Sequence, residues 1–467
     1  MIVRLLMKNT LHRDDSFFRR FALITLPIII QNGITNFVSL LDNIMIGQVG
    51  TEQMSGVSIV NSLLFVFNLC IFGGTAGSGI YIAQFFGSEN HDGIRHTFRF
   101  KTLLCLLLGI LGIGIFSFAG DPLISLYLQG EGDPASALRT LEYGRSYLLI
   151  MLVGLVPFAI TNSYSSTLRE CGQSFVPMLA GVVAVLVNLV FNYILIFGHF
   201  GAPAMGVAGA AIATVISRYV ELAIVAIWTH KNYQKFPFIK GVFRSLHIPA
   251  GLFKTLAIKS APLLINEALW SGSEAFMSQI YSTKGLDVVP AVNITSTIYN
   301  LSSVVVLAMA CSVGIVMGQM MGAGASKDEI WSANKKLMGM CAIASVIFGG
   351  VLASVSGVFP RLYNTTEAVR NLSTHMIIIC AVFLPAIGYI NPVYFSIRAG
   401  GKALTTFLFD SGFNWGIIIP MALILSNLIA LPILPIYAAC RGAAVLKCFV
   451  GYLFLRRKDW IQNLAIK

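Results

Sequence analysis

Long runs of apolar residues, separated by short polar segments, recur along the whole chain of 467 residues. The runs are continuous and do not alternate with a period of two, so they predict helices rather than the strands of a barrel. A bilayer crossing needs roughly 20 apolar residues, and the pattern predicts twelve such spans. They are centred near residues 33, 70, 109, 152, 186, 217, 270, 305, 346, 384, 415 and 443. The predicted fold class is an all-α polytopic membrane protein with twelve transmembrane helices.

Composition and charge support this prediction. The chain is 56% hydrophobic and only 11% charged, which excludes an ordinary soluble protein. Its net charge of +12 would suggest nucleic acid in a soluble protein, but here Lys and Arg crowd alternate loops, while the loops between them are neutral or acidic. By the positive-inside rule both termini are cytoplasmic and the number of spans is even. We therefore expect membrane lipids, and no nucleic acid, as partners.

A weak internal repeat divides the chain into two halves. The order of matched positions is kept while the offset drifts from 235 to 223 residues, as loop-length changes would cause. Six spans in each half give both halves the same orientation, an architecture typical of alternating-access transporters. The matched pairs are Pro27 with Pro262, Gln84 with Gln319, Gly87 with Gly322, Arg169 with Arg398, and Arg218 with Arg441.

The repeat predicts five consecutive segments. Residues 1–16 form a cytoplasmic N-terminal segment, and 17–229 form an N-lobe of six spans. A basic cytoplasmic linker follows at 230–259, then a C-lobe of six spans at 260–455 and a cytoplasmic tail at 456–467. We expect two pseudo-symmetric six-helix lobes around a central cavity.

The most unusual span, Ala261 to Tyr281, carries two acids, Glu267 and Glu274. A carboxylate at membrane depth costs a few kcal/mol or more and is usually kept inside a bundle or a wet cavity. The two acids lie seven residues apart, so they project from one helix face together with Trp270. An ion pair between Glu274 and Arg441 is an alternative explanation for the second acid.

Three further acids lie within spans. Asp42 is either a functional group or a helix-end carboxylate satisfied by Asn36 or Asn43. Asp410 either faces Glu267 or is a carboxylate favoured by a helix N-terminus. Glu221 lies three residues after Arg218, a spacing that predicts an internal ion pair.

Three motifs occur in order along the chain: LDNIMIG after the first apolar run, NLVFNYILIFGHFGAPAMGVAGAAIATVISR in spans five and six, and PLLINEALW in span seven. They resemble the multidrug and toxic compound extrusion (MATE) family of cation-coupled antiporters. The resemblance covers roughly residues 17 to 455, and PLLINEALW is similar to the family's firmicute-type bacterial members.

The resemblance implies a set of site residues. The family's N-lobe cation site corresponds to Asp42, Asn188, Asn192 and Thr214, with Asn192 replacing the family's Asp. In the C-lobe it implies a coupling acid in span seven, where Glu267 and Glu274 compete, with Asp410 as a further candidate. Because the missing Asp weakens Na⁺ coordination in the N-lobe, we favour Glu267 over Asp42 for coupling. Trp270 and Tyr299 are candidates for lining the substrate cavity through cation–π contacts.

The expected function is a secondary antiporter of the bacterial inner membrane that exports cationic or amphiphilic drugs in exchange for H⁺ or Na⁺. We expect a monomer without a cofactor, and no metal beyond Na⁺ at Asp42 or Glu267. A flippase of a lipid-linked precursor is the alternative, and it predicts a large, strongly basic cavity. A membrane-embedded enzyme is disfavoured, because the chain has no Walker loop or HExxH motif and its eight cysteines form no CxxC.

Overall fold

The computed structural model describes residues 14–128 and 133–465, and within these ranges the regular structure is helical, without a strand. Most of the predicted N-terminal segment, residues 1–16, therefore lies outside the described residues. The helices are α1 Asp14–Gly47, α2 Thr51–Gly87, α3 His91–Tyr127, α4 Pro134–Leu152, α5 Leu155–Glu170, α6 Phe175–Phe197, α7 Gly206–Lys231, α8 Ala250–Ser282, α9 Val288–Gly322, α10 Lys327–Val355, α11 Glu367–Ala399, α12 Ala403–Leu428 and α13 Ile433–Arg456.

The predicted fold class is confirmed, and the helices are consistent with twelve crossings. Among the described residues, ten helices are long and apolar enough to span a bilayer. The pair α4 and α5 is bent by 50° and together forms an eleventh span, whose predicted centre falls at the bend. Helix α8, which is 33 residues long and carries Glu267 and Glu274, lies outside this set.

Local sequence sets several helix ends. The Asp133 side chain accepts hydrogen bonds from the amides of residues 135 and 136, and Pro134 takes the first helical position of α4. Ser326 and Glu329 form a reciprocal capping box at the start of α10. Gly198 ends α6 in the left-handed conformation at φ 77°, which glycine adopts without a Cβ penalty.

The chain divides into two compact units. The N-half unit comprises Ile30–Ile82 and His91–Ser260, and the C-half unit comprises Met1–Ile29, Ala83–Asn90 and Ala261–Lys467. Helices α1 and α8 each contribute residues to both units, and in each the division falls within three residues of a proline, Pro27 or Pro262. Proline cannot donate a helical backbone hydrogen bond, so both helices are weakened where they change units.

Each unit has its own apolar core. In the N-half unit, the fully buried side chains of Val60, Ile71, Cys105 and Leu155 pack together from α2, α3 and α5. The C-half unit has two clusters, one around Val313, Leu337 and Val393 and the other around Met376 and Ile436. These cores fix the helix faces on which the embedded polar residues lie.

The predicted linker is an ordered part of the N-half unit. Helix α7 ends at Lys231 and α8 begins at Ala250, ten residues before the predicted C-lobe starts. Between them, the chain is bound by arginines of α3. Arg95 donates to the carbonyl of Phe238 at 3.1 Å, and Arg99 donates to that of Val242 at 2.6 Å. Arg95 and Arg99 of α3 thus bind the segment that connects α7 to α8.

The C-terminal tail packs into the C-half unit through Gln84. The Gln84 amide donates to the carbonyls of Ala399 at 2.9 Å and Gln462 at 3.1 Å, and accepts from the amide of Leu464 at 2.6 Å. The ring of Trp460 is buried beside this contact, with 1% of its surface exposed. The matched residue of the repeat, Gln319, accepts instead from Arg20 of α1.

The paired glycines of the repeat allow the ends of α2 and α9 to touch. A Cβ on Gly322 would lie 1.9 Å from the carbonyl oxygen of Gln84, and one on Gly87 would lie 2.1 Å from that of Gln319. Only glycine permits this backbone approach.

We therefore expect Gly322→Ala to lower the free energy of unfolding by about 1–3 kcal/mol, because the added methyl must push the two backbones apart. The matched control is Gly350→Ala on α10, where nothing lies within 4 Å of the added carbon. The measurement is the Tm of each purified variant in detergent. Equal Tm values for the two variants would contradict the proposed backbone contact.

Candidate functional site

The four N-half residues selected by resemblance lie together in the structure. The Asn192 amide donates to Asp42 Oδ1 at 2.7 Å. The hydrogen bonds around Asn188 are satisfied when its amide nitrogen faces Asp42. In this orientation the nitrogen donates to the two carboxylate oxygens at 3.0 and 3.1 Å. Its oxygen then accepts from the Thr214 hydroxyl at 3.2 Å. Asp42 is thus bound by neutral amides from α6.

Helix geometry explains this grouping. Asn188 and Asn192 are four residues apart on α6, so their side chains lie one above the other on one face. Both are buried. Asn36, a sequence-based alternative partner of Asp42, is exposed, and the side chain of Asn43 lies outside the described residues. Asp42 is therefore an internal carboxylate rather than one satisfied by Asn36 at a helix end.

A cavity of about 440 Å³ opens beside this cluster within the N-half unit. Its volume lies in the range that accepts small organic ligands, roughly 300–1,000 Å³. The wall carries both signs of charge and several amides and hydroxyls. Its polar residues are Gln31, Asn32, Thr35, Asp42, Asn68, Thr161, Asn162, Ser165, Arg169, Asn188, Thr214, Ser217, Arg218 and Glu221.

Arg218 and Glu221 do not form the predicted ion pair, since no such pair within 4 Å is found in the described part of the chain. Arg218 instead donates to the carbonyl of Gly154 at 3.2 Å, at the break between α4 and α5. Its guanidinium lies 5.0 Å from the centre of the Phe158 ring. Arg218 therefore binds a backbone carbonyl at the bend of the fourth span, and Glu221 lines the cavity.

The chemistry of the N-half cluster suits a proton or a hard cation. Carboxylate, amide and hydroxyl oxygens are the ligands that alkali and alkaline-earth ions prefer. Among the described residues, no group of three or more His, Cys, Asp or Glu side chains is arranged to hold a metal ion.

The sequence analysis missed a second buried charge in the N-half unit. Lys101 lies on α3, and its side chain is fully buried. Its ammonium is 2.8 Å from Glu170 Oε2 on α5. The pair neutralises both charges inside the unit.

In the C-half unit, a chain of hydrogen bonds joins two of the acidic candidates, Glu267 and Asp410. Glu267 is buried, and its Oε1 accepts from the Tyr394 hydroxyl at 3.3 Å. The Asn266 amide contacts the same hydroxyl at 3.4 Å and donates to Asp410 Oδ2 at 3.1 Å. Asp410 Oδ1 in turn lies 2.9 Å from the ammonium of Lys447.

Asp410 is not the helix-N-terminal carboxylate considered from the sequence. Helix α12 begins at Ala403, and Asp410 lies in a π-helical turn, Leu408–Gly412, beyond the first turn of the helix. Such turns are rare and frequent at functional sites. Asp410 is a partner of the Glu267 cluster through Asn266, and Lys447 is the residue of this cluster that the sequence analysis missed.

The predicted alternative pair of Glu274 with Arg441 is also wrong. Arg441 donates to the Tyr437 hydroxyl at 3.2 Å, and its guanidinium lies 4.9 Å from the ring centre of Tyr299 and 5.2 Å from that of Tyr437. Glu274 is exposed and forms no ion pair within 4 Å among the described residues. Arg441 therefore contacts aromatic ring faces rather than the Glu274 carboxylate.

The two predicted substrate aromatics lie in different environments. Trp270 is half-buried on α8, one turn after Glu267. Tyr299 on α9 is half-buried beneath the Arg441 guanidinium. The face of Tyr299 is thus already in contact with a cation of the protein, whereas Trp270 stays a prediction for the substrate surface.

The geometry predicts that Asn192→Asp strengthens cation binding in the N-half unit. A second carboxylate beside Asp42 would repel it unless a cation or a shared proton lies between them. We expect the affinity for Na⁺ to rise at least about tenfold, which corresponds to about 1.4 kcal/mol. Isothermal titration of purified protein with NaCl measures this change. Asn162→Asp, which adds a carboxylate elsewhere on the cavity wall, is the control; equal responses of the two variants would contradict a site at Asp42.

Known proteins resemble this chain along most of its length. The MatE family model matches residues 27–194 and 262–424. A probable multidrug resistance protein of Bacillus subtilis, YoeA, is 24% identical over 461 residues, covering 96% of each chain. A probable multidrug resistance protein of Oceanobacillus iheyensis, NorM, is 28% identical over 419 residues, covering 88% of this chain and 90% of the relative.

Solved structures share the fold. The Vibrio cholerae MATE transporter VcmN in its bent form matches with a TM-score of 0.82 at 18% identity, covering 96% of this chain and 99% of the other. A structure described as MATE in the bent conformation matches with a TM-score of 0.84 at 18% identity, covering 98% and 99%. At these identities the likeness concerns the fold alone.

Proposed function

Because the chain belongs to the MatE family, whose model matches most of it, we propose that it exports cationic or amphiphilic organic compounds by antiport with H⁺ or Na⁺. The family is a transporter family, and the curated relatives are named as probable multidrug resistance proteins. The proposal includes the bacterial inner membrane as location, cytoplasmic termini, a monomeric state, and no cofactor besides the coupling ion.

The observation that carries the proposal is Asp42 at the wall of the N-half cavity. Its carboxylate is bound by neutral amides, with Asn192 at 2.7 Å, and no ion pair to it is found among the described residues. A carboxylate without a fixed counter-charge at membrane depth needs a proton, a metal cation or a cationic ligand. The cavity of about 440 Å³ has room for such a ligand.

Coupling follows when the ion and the organic cation compete for the same carboxylate. In the outward-facing state, H⁺ or Na⁺ neutralises the acid and weakens its attraction for the organic cation. In the inward-facing state, loss of the ion restores that attraction. The ion drives transport only because its affinity differs between the two states. A tenfold difference in affinity corresponds to about 1.4 kcal/mol.

Glu267 is the second proposed coupling acid. It is buried, and its hydrogen bond from Tyr394 leaves the second carboxylate oxygen to exchange a proton or ion. The neighbouring Asp410 is paired with Lys447. Glu267 therefore resembles Asp42 in having no ion pair within 4 Å among the described residues, with Arg398 as the positive charge in its surroundings.

The flippase alternative is less well supported. It predicts a strongly basic cavity that would bind a lipid-linked phosphate. The N-half cavity has two arginines, Arg169 and Arg218, but two carboxylates, Asp42 and Glu221, lie on the same wall. The balanced charge favours a substrate that is cationic or carries both charges.

We expect Asp42→Asn to abolish ion-driven efflux, because an amide neither releases a proton nor carries the charge that attracts a cation. The measurement is ethidium efflux from proteoliposomes with proton and sodium gradients imposed separately. Asp121→Asn, at a surface ion pair with Arg145 of 3.6 Å, is the matched control. Efflux by Asp42→Asn at the rate of the control would rule out the N-half carboxylate.

Glu267→Gln tests the second acid in the same vesicles. We expect a loss of gradient-dependent efflux of tenfold or more, with Tyr394 still able to donate to the Gln side-chain oxygen. Glu274→Gln, on the same helix but exposed, should transport at the wild-type rate. If Glu274→Gln instead loses efflux and Glu267→Gln keeps it, the coupling acid of α8 is Glu274.

A further inference from the structure

The C-half unit contains a buried lysine that the antiport proposal does not use. Lys447 lies on α13 with 7% of its surface exposed. It is nine residues before the last residue of the helix, Arg456, which places it about 14 Å from that end. A lysine at this depth is costly unless it meets an opposite charge. Its ammonium lies 2.9 Å from Asp410 Oδ1.

The surroundings of Lys447 are arranged for a cation. The ring centres of Phe409 and Phe413 lie 5.2 and 5.7 Å from its nitrogen, and aromatic faces attract positive charge. Both rings and Asp410 belong to the irregular part of α12, where the π-helical turn Leu408–Gly412 changes the helix register. One short segment thus supplies a carboxylate and two aromatic rings to the same ammonium.

Each carboxylate oxygen of Asp410 has a partner in this arrangement. Lys447 binds one carboxylate oxygen, and Asn266 donates to the other at 3.1 Å. Asn266 is itself fixed, because the Ser411 hydroxyl donates to its side-chain oxygen at 2.8 Å. An incoming Na⁺ would therefore have to displace an ammonium from Asp410 before it could bind there.

Glu267 is the remaining acid of the cluster, and the groups that face it are known from each packed element. Tyr394 and Arg398 come from α11 and Asp410 from α12, while Lys447 of α13 contacts this set through Asp410. Without Lys447, the carboxylates of Glu267 and Asp410, joined through Asn266 and Tyr394, would offer oxygen ligands of the kind that hard cations prefer.

We propose that Lys447 is a built-in counter-cation that determines ion specificity: it takes the place of Na⁺ beside Asp410 and leaves Glu267 to exchange a proton. This inference rests on the proposed antiport function, because it assigns the coupling ion of the same site. Lys447 is a positioning residue, since it acts on the exchange at Glu267 through Asp410.

The test measures Na⁺ binding in the absence of transport. All variants carry Asp42→Asn, which removes the N-half carboxylate, and the purified full-length protein is titrated with NaCl against choline chloride in detergent. With Lys447 present, we expect no heat of Na⁺ binding and no rise of Tm. With Lys447→Met, we expect saturable Na⁺ binding and a Tm rise of about 2–4 °C near saturation. The double variant Lys447→Met with Asp410→Asn removes both charges together and should bind no Na⁺.

Two results would overturn the proposal. One is Na⁺ binding with Lys447 present that Asp410→Asn abolishes. The other is a folded Lys447→Met variant that does not bind Na⁺. A purely structural role of Lys447 would lower the Tm of Lys447→Met without making it depend on Na⁺.

Lys447→His keeps the test decisive if Lys447→Met does not fold. A protonated imidazole replaces the ammonium, so the protein can be purified at low pH with its charge pair intact. Na⁺ binding should then appear only as the pH is raised and the imidazole becomes neutral. Na⁺ binding that is independent of pH, or absent at every pH, would contradict the proposal. Failure of the antiport proposal is distinguishable, because it is seen as absent efflux in vesicles and does not alter these binding measurements.

Discussion

A charge that this chain carries into the bilayer must find a partner, and that constraint organises the polar interior of both units. Removing an ion from water costs several kcal/mol even after the protein relaxes around it. Lys101 is buried against Glu170, and Lys447 against Asp410. The removal of one member of such a pair is far more costly than the removal of both. The charge pairs therefore fix which helices stay together.

The arginines of the repeat satisfy the same constraint in another way. Arg218 lies over Phe158, and Arg441 lies over Tyr299 and Tyr437. Guanidinium groups are weakly hydrated and stack on aromatic rings, so they tolerate such surroundings better than an ammonium does. With the bases engaged by rings and carbonyls, Asp42, Glu221 and Glu267 keep their charge available to a mobile ion or ligand. Asp42 and Glu267 are the two buried or cavity-lining acids for which we propose transport roles.

The sequence predicted the fold better than the polar contacts. The length of the apolar runs and the charge of the loops predicted twelve crossings, because bilayer thickness leaves few alternatives. The structure differs from this prediction mainly in the bend between α4 and α5 and in the early start of α8. The grouping of Asp42 with Asn188, Asn192 and Thr214 came from resemblance rather than from spacing. Lys447 and Lys101 were missed because their partners are 37 and 69 residues away. Which helix faces meet depends on tertiary packing, and the π-helical turn at Asp410 has no local sequence signal that we recognised.

The two halves keep the same backbone contacts while their polar chemistry differs. Gly87 and Gly322 retain matching close approaches to the carbonyls of Gln319 and Gln84, and such contacts tolerate no side chain. The side chains at positions inside the units can vary more, because a buried acid can be satisfied by amides or by an ammonium. Asp42 has the first kind of partner and Asp410 the second. An acid bound by amides can accept either H⁺ or Na⁺, whereas an acid paired with lysine excludes a second cation. A duplicated scaffold of this kind can therefore acquire two ion sites of different specificity by changing a few side chains, without altering the contacts that define its fold.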